Sequence, residues 1–133
     1  MFFEKLFSSD KIEGQAQENS KENIRPSYKN LRPTQKEMVN LIQKKFEEAG
    51  LPKNLALAAI VNAKFESGFD PSSVGDHGCS VGLFQLNACG GRGNGMSVGQ
   101  RKDPNENIQK IIDDIKNNIG TGNIANTARR GAS

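Results

Sequence analysis

Apolar residues along this chain fall into three periodic runs, separated by polar and glycine-rich stretches. Met38, Leu41, Ile42 and Phe46 recur at helical spacing and stop near Gly50, which predicts a first helix. Ahead of them, Thr34-Gln35-Lys36-Glu37 has the form of a capping box, in which each partner satisfies an amide orphaned by the first turn. Pro52 is placed to open a second helix at its first position, where a missing amide costs nothing. This helix carries Leu55-Ala-Leu-Ala-Ala-Ile-Val-Asn-Ala-Lys-Phe65, is apolar nearly all round, and is expected to be the central buried element. Asp103-Pro104-Asn105-Glu106 caps a third helix, whose Ile108, Ile111, Ile112, Ile115 and Ile119 make one stripe. Residues 67 to 102 hold most of the glycines and almost no periodicity. They predict a loop-rich lobe with a short hairpin around Val81 to Leu86. The fold class is therefore mainly α.

The ends of the chain read differently. Residues 8 to 33 are rich in Ser, Asn, Gln, Glu and Lys without apolar period, so residues 1–33 are expected to form an extended N-terminal arm. Phe2, Phe3, Leu6 and Phe7 make either a short amphipathic anchor on a partner or a frayed terminus. The folded domain is expected over 34–119 and a flexible tail over 120–133.

Charge narrows the partners little. Basic and acidic residues number six and five in 1–33, five and five in 34–72, three and two in 73–103, and four and three in 104–133. No basic block is present, so no specific nucleic-acid partner is expected. The net +3 suits an anionic polymer only mildly. No stretch is long and apolar enough for a transmembrane segment, and Met1 to Phe7 does not read as a signal peptide.

Glu66 lies where the most apolar helix meets the glycine-rich lobe. A carboxylate there is expected to lose solvation and to hold its proton, as a general acid must in order to cleave a glycosidic bond. Glu66-Ser67-Gly68-Phe69-Asp70-Pro71 followed by Gly82-Leu83-Phe84-Gln85 resembles the Glu-Ser and Gly-Leu-Met-Gln motifs of soluble lytic transglycosylases and goose-type lysozymes. With Gly75-Asp76-His77-Gly78-x-Ser80 and Gly90-Gly91-Arg92-Gly93, it looks most like the versions carried by tailed-phage virion proteins. The resemblance spans roughly residues 34 to 118.

The resemblance implies a small lysozyme-like domain that cuts the bond between N-acetylmuramic acid and N-acetylglucosamine in bacterial peptidoglycan. It implies Glu66 as the catalytic acid, Ser67 supporting it by hydrogen bonding, and Gln85 bonding the sugar or the acid. Asp76 and Ser80 are supporting candidates. A transglycosylase needs no second carboxylate, because the acid, once deprotonated, takes the proton of the substrate's own C6 hydroxyl. An inverting hydrolase needs one to activate water, and Asp70 and Asp76 are the nearby acids. Asp70 before Pro71 is more simply a turn former. The resemblance also implies location in a phage particle, action in the host envelope, and other virion proteins as partners of the arm. An alternative is a structural virion protein that keeps the core without significant activity. Members of the family usually add helices that bring a Tyr and aromatic platforms. This chain has no Trp, and its one Tyr, Tyr28, lies in the arm. The groove is then expected either to be minimal or to be completed by a neighbouring chain.

No cofactor is expected. His77, Cys79 and Cys89 lack a fourth ligand and a paired Cys-x-x-Cys knuckle, which argues against a metal. The two cysteines are expected by default to be free buried thiols, with a disulfide as the alternative. Gly90-Gly91-Arg92-Gly93-Asn94-Gly95 lacks the Lys-Ser/Thr pair of a phosphate loop, and either close approach to a polysaccharide or loop flexibility would explain it.

Overall fold

A computed structural model describes residues 30–118 and Ile124. The expected arm with its Phe2, Phe3, Leu6 and Phe7, the helix stripe's Ile119, and the tail apart from Ile124 lie outside the described residues. Ile124 itself is buried. The chain divides into two units inside the first helix, after Lys36.

Helix α1 spans Pro33–Glu48 and buries Ile42 and Phe46. It opens two residues earlier than the Thr34 box would have it. Pro33 takes the first position, where its fixed φ is already helical, and Gln35 Oε1 accepts the Arg32 amide at 2.9 Å. Thr34 is thus inside the first turn. The other end is as expected. Gly50, at φ 77, donates its amide to Glu47 O, and the Leu51 amide reaches back to Phe46 O, each at 3.0 Å. That pair of bonds is a Schellman motif, and its left-handed position explains the glycine.

Helix α2 spans Lys53–Ser67, with Pro52 as its N-cap, one residue from the expected boundary. Ala56, Ala58, Ala59, Ile60 and Ala63 are buried. Its last turn is not, which qualifies the expectation of burial all round: Lys64, Phe65 and Glu66 are exposed. Gly68 ends it at φ 62, its amide bonded to Lys64 O.

The glycine-rich lobe contains a small antiparallel sheet in the order β1-β2-β3, formed by Val74–Gly75, Ser80–Val81 and Leu86–Asn87. Val74 and Leu86 both pair with Val81, while Gly75 and Asn87 pair with Ser80. The expected hairpin is β2-β3, closed by residues 82–85. A short helix α3, Val98–Lys102, follows in what had read as loop. Its signal was in the text: Ser97 and Gln100 make a complete capping box, each side chain bonding the other's amide. Helix α4, Pro104–Lys116, opens on Asp103, whose carboxylate accepts the Asn105 amide, and buries Ile108, Ile111 and Ile112.

Two buried polar residues tie these parts together. Asn107, 0% exposed, accepts the Phe84 amide at 3.0 Å and donates to Val81 O and Arg101 O at 3.2 and 2.8 Å. Arg101, 4% exposed, donates through Nη1 to Cys79 O and Leu86 O and through Nε to Ser97 O. No carboxylate pairs with it among the described residues, so carbonyl dipoles satisfy a charge that burial would otherwise penalise.

Cys79 and Cys89 are joined in a disulfide, ten residues apart, with Cα atoms 5.6 Å apart. The default expectation of two free buried thiols is corrected on both counts, since Cys89 is exposed and Cys79 only half-buried. The β-ladder supplies the reason: it sets the Cys79 carbonyl against the Ala88 amide at 2.9 Å, bringing the two cysteines side by side. In the chain-entropy picture a ten-residue loop is stabilised by about 2.5–3 kcal/mol. Replacing both cysteines by serine should lower the unfolding free energy by that amount in a denaturant titration. An unchanged midpoint would mean that the bridge adds nothing to the hydrogen-bonded lobe.

Candidate active site

The two sequence motifs meet at one bond. Ser67 Oγ donates to Leu83 O at 2.8 Å, with Ala63 O of its own helix at 3.1 Å. The residue after Glu66 therefore pins the end of α2 to the Gly82–Gln85 turn. The family resemblance implied that Ser67 supports Glu66 by hydrogen bonding; its hydroxyl bonds the backbone beside Glu66 and Leu83 O rather than the Glu66 carboxylate. After Gly68, Phe69 keeps a positive φ of 64 with its ring buried, 2% exposed. Burial of the ring offsets the cost of about 1–2 kcal/mol for a left-handed non-glycine.

Glu66 is exposed and has no side-chain bond among the described residues. The expected loss of solvation is thus not found there. The reason lies in the helix phase. Ala56, Ile60, Ala63 and Ser67 follow one another at four- and three-residue steps along the packed line, and Glu66 stands about 100° off it.

In the same lobe, the turn between β1 and β2 is held in an unusual shape. Asp76, His77 and Gly78 are consecutive positive-φ residues, at 51, 56 and 95. Such runs are costly for side-chain-bearing residues and concentrate at functional positions. Here a hydrogen-bond chain holds the turn. Asn87 Nδ2 donates to Ser80 Oγ at 3.3 Å, and Ser80 Oγ donates to Asp76 Oδ2 at 2.6 Å. Ser80 is buried, while the Asp76 carboxylate stands at the surface. Both supporting candidates are therefore in direct contact with each other. Asp70 is a turn former, its Oδ1 accepting from the Ser72 amide and hydroxyl.

Gln85, at φ 48, turns its amide inward, where Nε2 donates to Ser73 O and Gly82 O at 3.0 Å each. Its donor group braces the lobe. Gln85 Oε1 lies so close to Gly75 that a Cβ there would meet it at 2.7 Å. Leu83 and Phe84 pack inward, at 0% and 5% exposure. In the glycine-dense loop, Gly91 and Gly93 have packing reasons: a Cβ would fall 2.8 Å from Asn87 Cβ and 2.9 Å from Arg101 Cδ, respectively. Arg92 reaches the buried Asp114, Nε to Oδ2 3.4 Å, beside the Lys110 pair at 2.9 Å.

Sequence reasoning missed Arg101, Asn107 and Asp114. Asn107 and Asp114 stand seven residues apart on the same side of α4 as Ile111, so their place in the helical period was the available signal. Among the described residues, no group of His, Cys, Asp and Glu could hold a metal ion, and no helix is long and apolar enough to cross a membrane. Comparison of the chain with family models, with curated proteins and with solved structures found no match in any of the three.

Proposed function

We propose that this chain is a peptidoglycan-cleaving glycosidase of lysozyme-like fold, carried in a phage particle and acting on the host wall. The carrying observation is the Ser67–Leu83 bond, which brings the end of the Glu66 helix onto the Gly82–Gln85 turn. The same lobe presents Asp76 on a strained, hydrogen-bonded turn. Glu66 stands open to solvent, able to meet a large polymer that no enclosed pocket would admit. It protonates the glycosidic oxygen as the bond to the muramic acid breaks. Its carboxylate then takes the C6 hydroxyl proton of the same sugar, closing a 1,6-anhydro ring. Closing the ring saves the water molecule that hydrolysis would consume. Ser67, Gln85 and the Ser80–Asp76 pair hold the framework.

A second reading, a structural virion protein with a lysozyme-like core, is favoured by one observation: the Glu66 carboxylate has no partner orienting it among the described residues. Mass spectrometry of muropeptides released from purified sacculi separates the readings. Anhydro ends support the proposal, and no release supports the structural alternative.

Asp76→Asn tests the division of labour. In the proposed route it should reduce turnover several-fold, through loosening of the turn, and leave the anhydro product unchanged. Were Asp76 instead the base of an inverting hydrolase, the same change would cost orders of magnitude, and the parent enzyme would release reducing ends.

A further inference from the structure

Four phenylalanines lie among the described residues. Phe46, Phe69 and Phe84 are buried, at 0%, 2% and 5% exposure, whereas Phe65 is 83% exposed. It stands on the last turn of α2, one residue before Glu66 and about 100° around the axis from it. Gly68 ends the helix immediately afterwards, so no further turn of α2 covers the ring. Its neighbours Lys64 and Glu66 are exposed and charged. The other large apolar side chains exposed among the described residues are Val74 and Val98. Among the described residues, Phe65 is thus one flat apolar ring bordered by charge, with no exposed aromatic neighbour.

We infer that Phe65 is a glycan-stacking residue, receiving the C–H face of a sugar ring adjacent to the linkage that Glu66 protonates. This inference rests on the reading above, and it adds a subsite that the motif residues do not include. A pyranose has one face of axial C–H groups and a rim of hydroxyls. An aromatic ring gains dispersion contact with that face, while the charged chain neighbours Lys64 and Glu66 are groups of the kind that bond sugar hydroxyls. A protein partner would be expected to need a broader apolar patch than one ring. On a long polymer, such a platform would fix which sugar sits beside the acid.

The test uses the full chain carrying Glu66→Gln, so that substrate is bound but not consumed, in co-sedimentation with insoluble peptidoglycan sacculi. Adding Phe65→Ala should weaken binding roughly tenfold, whereas adding Phe65→Tyr should preserve it. Circular dichroism melts should be the same for all three, since an exposed ring contributes little to the fold. Equal binding by the alanine and parent chains would overturn the inference and leave the catalytic reading standing. A change from dimer to monomer in the alanine variant, with sacculus binding unchanged, would also overturn it and assign the ring to a contact between copies. If the parent chain does not bind sacculi, the catalytic reading fails and this inference fails with it.

Discussion

Gly82→Ala should destabilise the folded unit by on the order of 3–5 kcal/mol. Two costs add. The residue stands at φ 93, where any side chain is strained. A Cβ there would also fall 2.1 Å from Arg101 O and 2.3 Å from Asn107 Nδ2. Neither neighbour can yield cheaply. Arg101 O is backbone already accepting from Asn107, and Asn107 is fully buried with its amide spent on Val81 O and Arg101 O. Relieving the collision therefore breaks the network that joins β2, α3 and α4. The control is Gly95→Ala, at φ 88 with nothing within 4 Å of the added Cβ, which should cost only the backbone strain of about 1 kcal/mol. For a domain of this size the Gly82 variant should melt at least ~10 °C lower than the Gly95 variant. Equal melting temperatures would show that Asn107 does not hold the hairpin as argued.

The elements legible in the sequence were those set by local rules. Gly50 and Gly68 end their helices at positive φ, and Asp103 caps α4 through its own side chain, each visible as a residue type at a fixed offset. The hairpin around Val81 to Leu86 was legible because Gly82 interrupts a short apolar run. What escaped were interactions spanning many residues. Asn107 reaches back 26 residues to Val81 and Arg101 reaches back 22 to Cys79. On sequence alone a lone Asn or Arg on a helix reads as solvent-facing. The Cys79–Cys89 pairing depended on the β2-β3 ladder, so spacing alone could not choose between bridge and thiols. The apolar run of α2 invited burial of everything on it, yet Ser67's bond to Leu83 sets the helix phase and leaves Phe65 and Glu66 facing out. That rotation decides what the candidate site is: an open edge rather than a desolvated pocket. In the proposed function, positioning of the substrate then falls on whatever stands beside Glu66.

Glu66→Gln should abolish wall clearing, a loss on the order of 10²-fold or more, and leave stability untouched. The second half follows from the geometry. Glu66 is exposed, and among the described residues its side chain bonds nothing, so an isosteric amide removes no contact from the fold. The amide has no acidic proton to transfer to the glycosidic oxygen and is too weak a base to take one back, so both halves of the proposed reaction stop. Ser67→Ala makes the informative partner variant. It keeps the carboxyl but frees the helix end from Leu83 O, so it should lower both turnover and melting temperature, whereas Glu66→Gln lowers turnover alone. Turbidity loss of a sacculus suspension and a thermal melt on the same preparations measure the two effects separately. Undiminished clearing by the Glu66→Gln chain would remove Glu66 from the mechanism. An inactive parent chain would instead favour the structural role, with the exposed carboxylate as an ordinary surface charge.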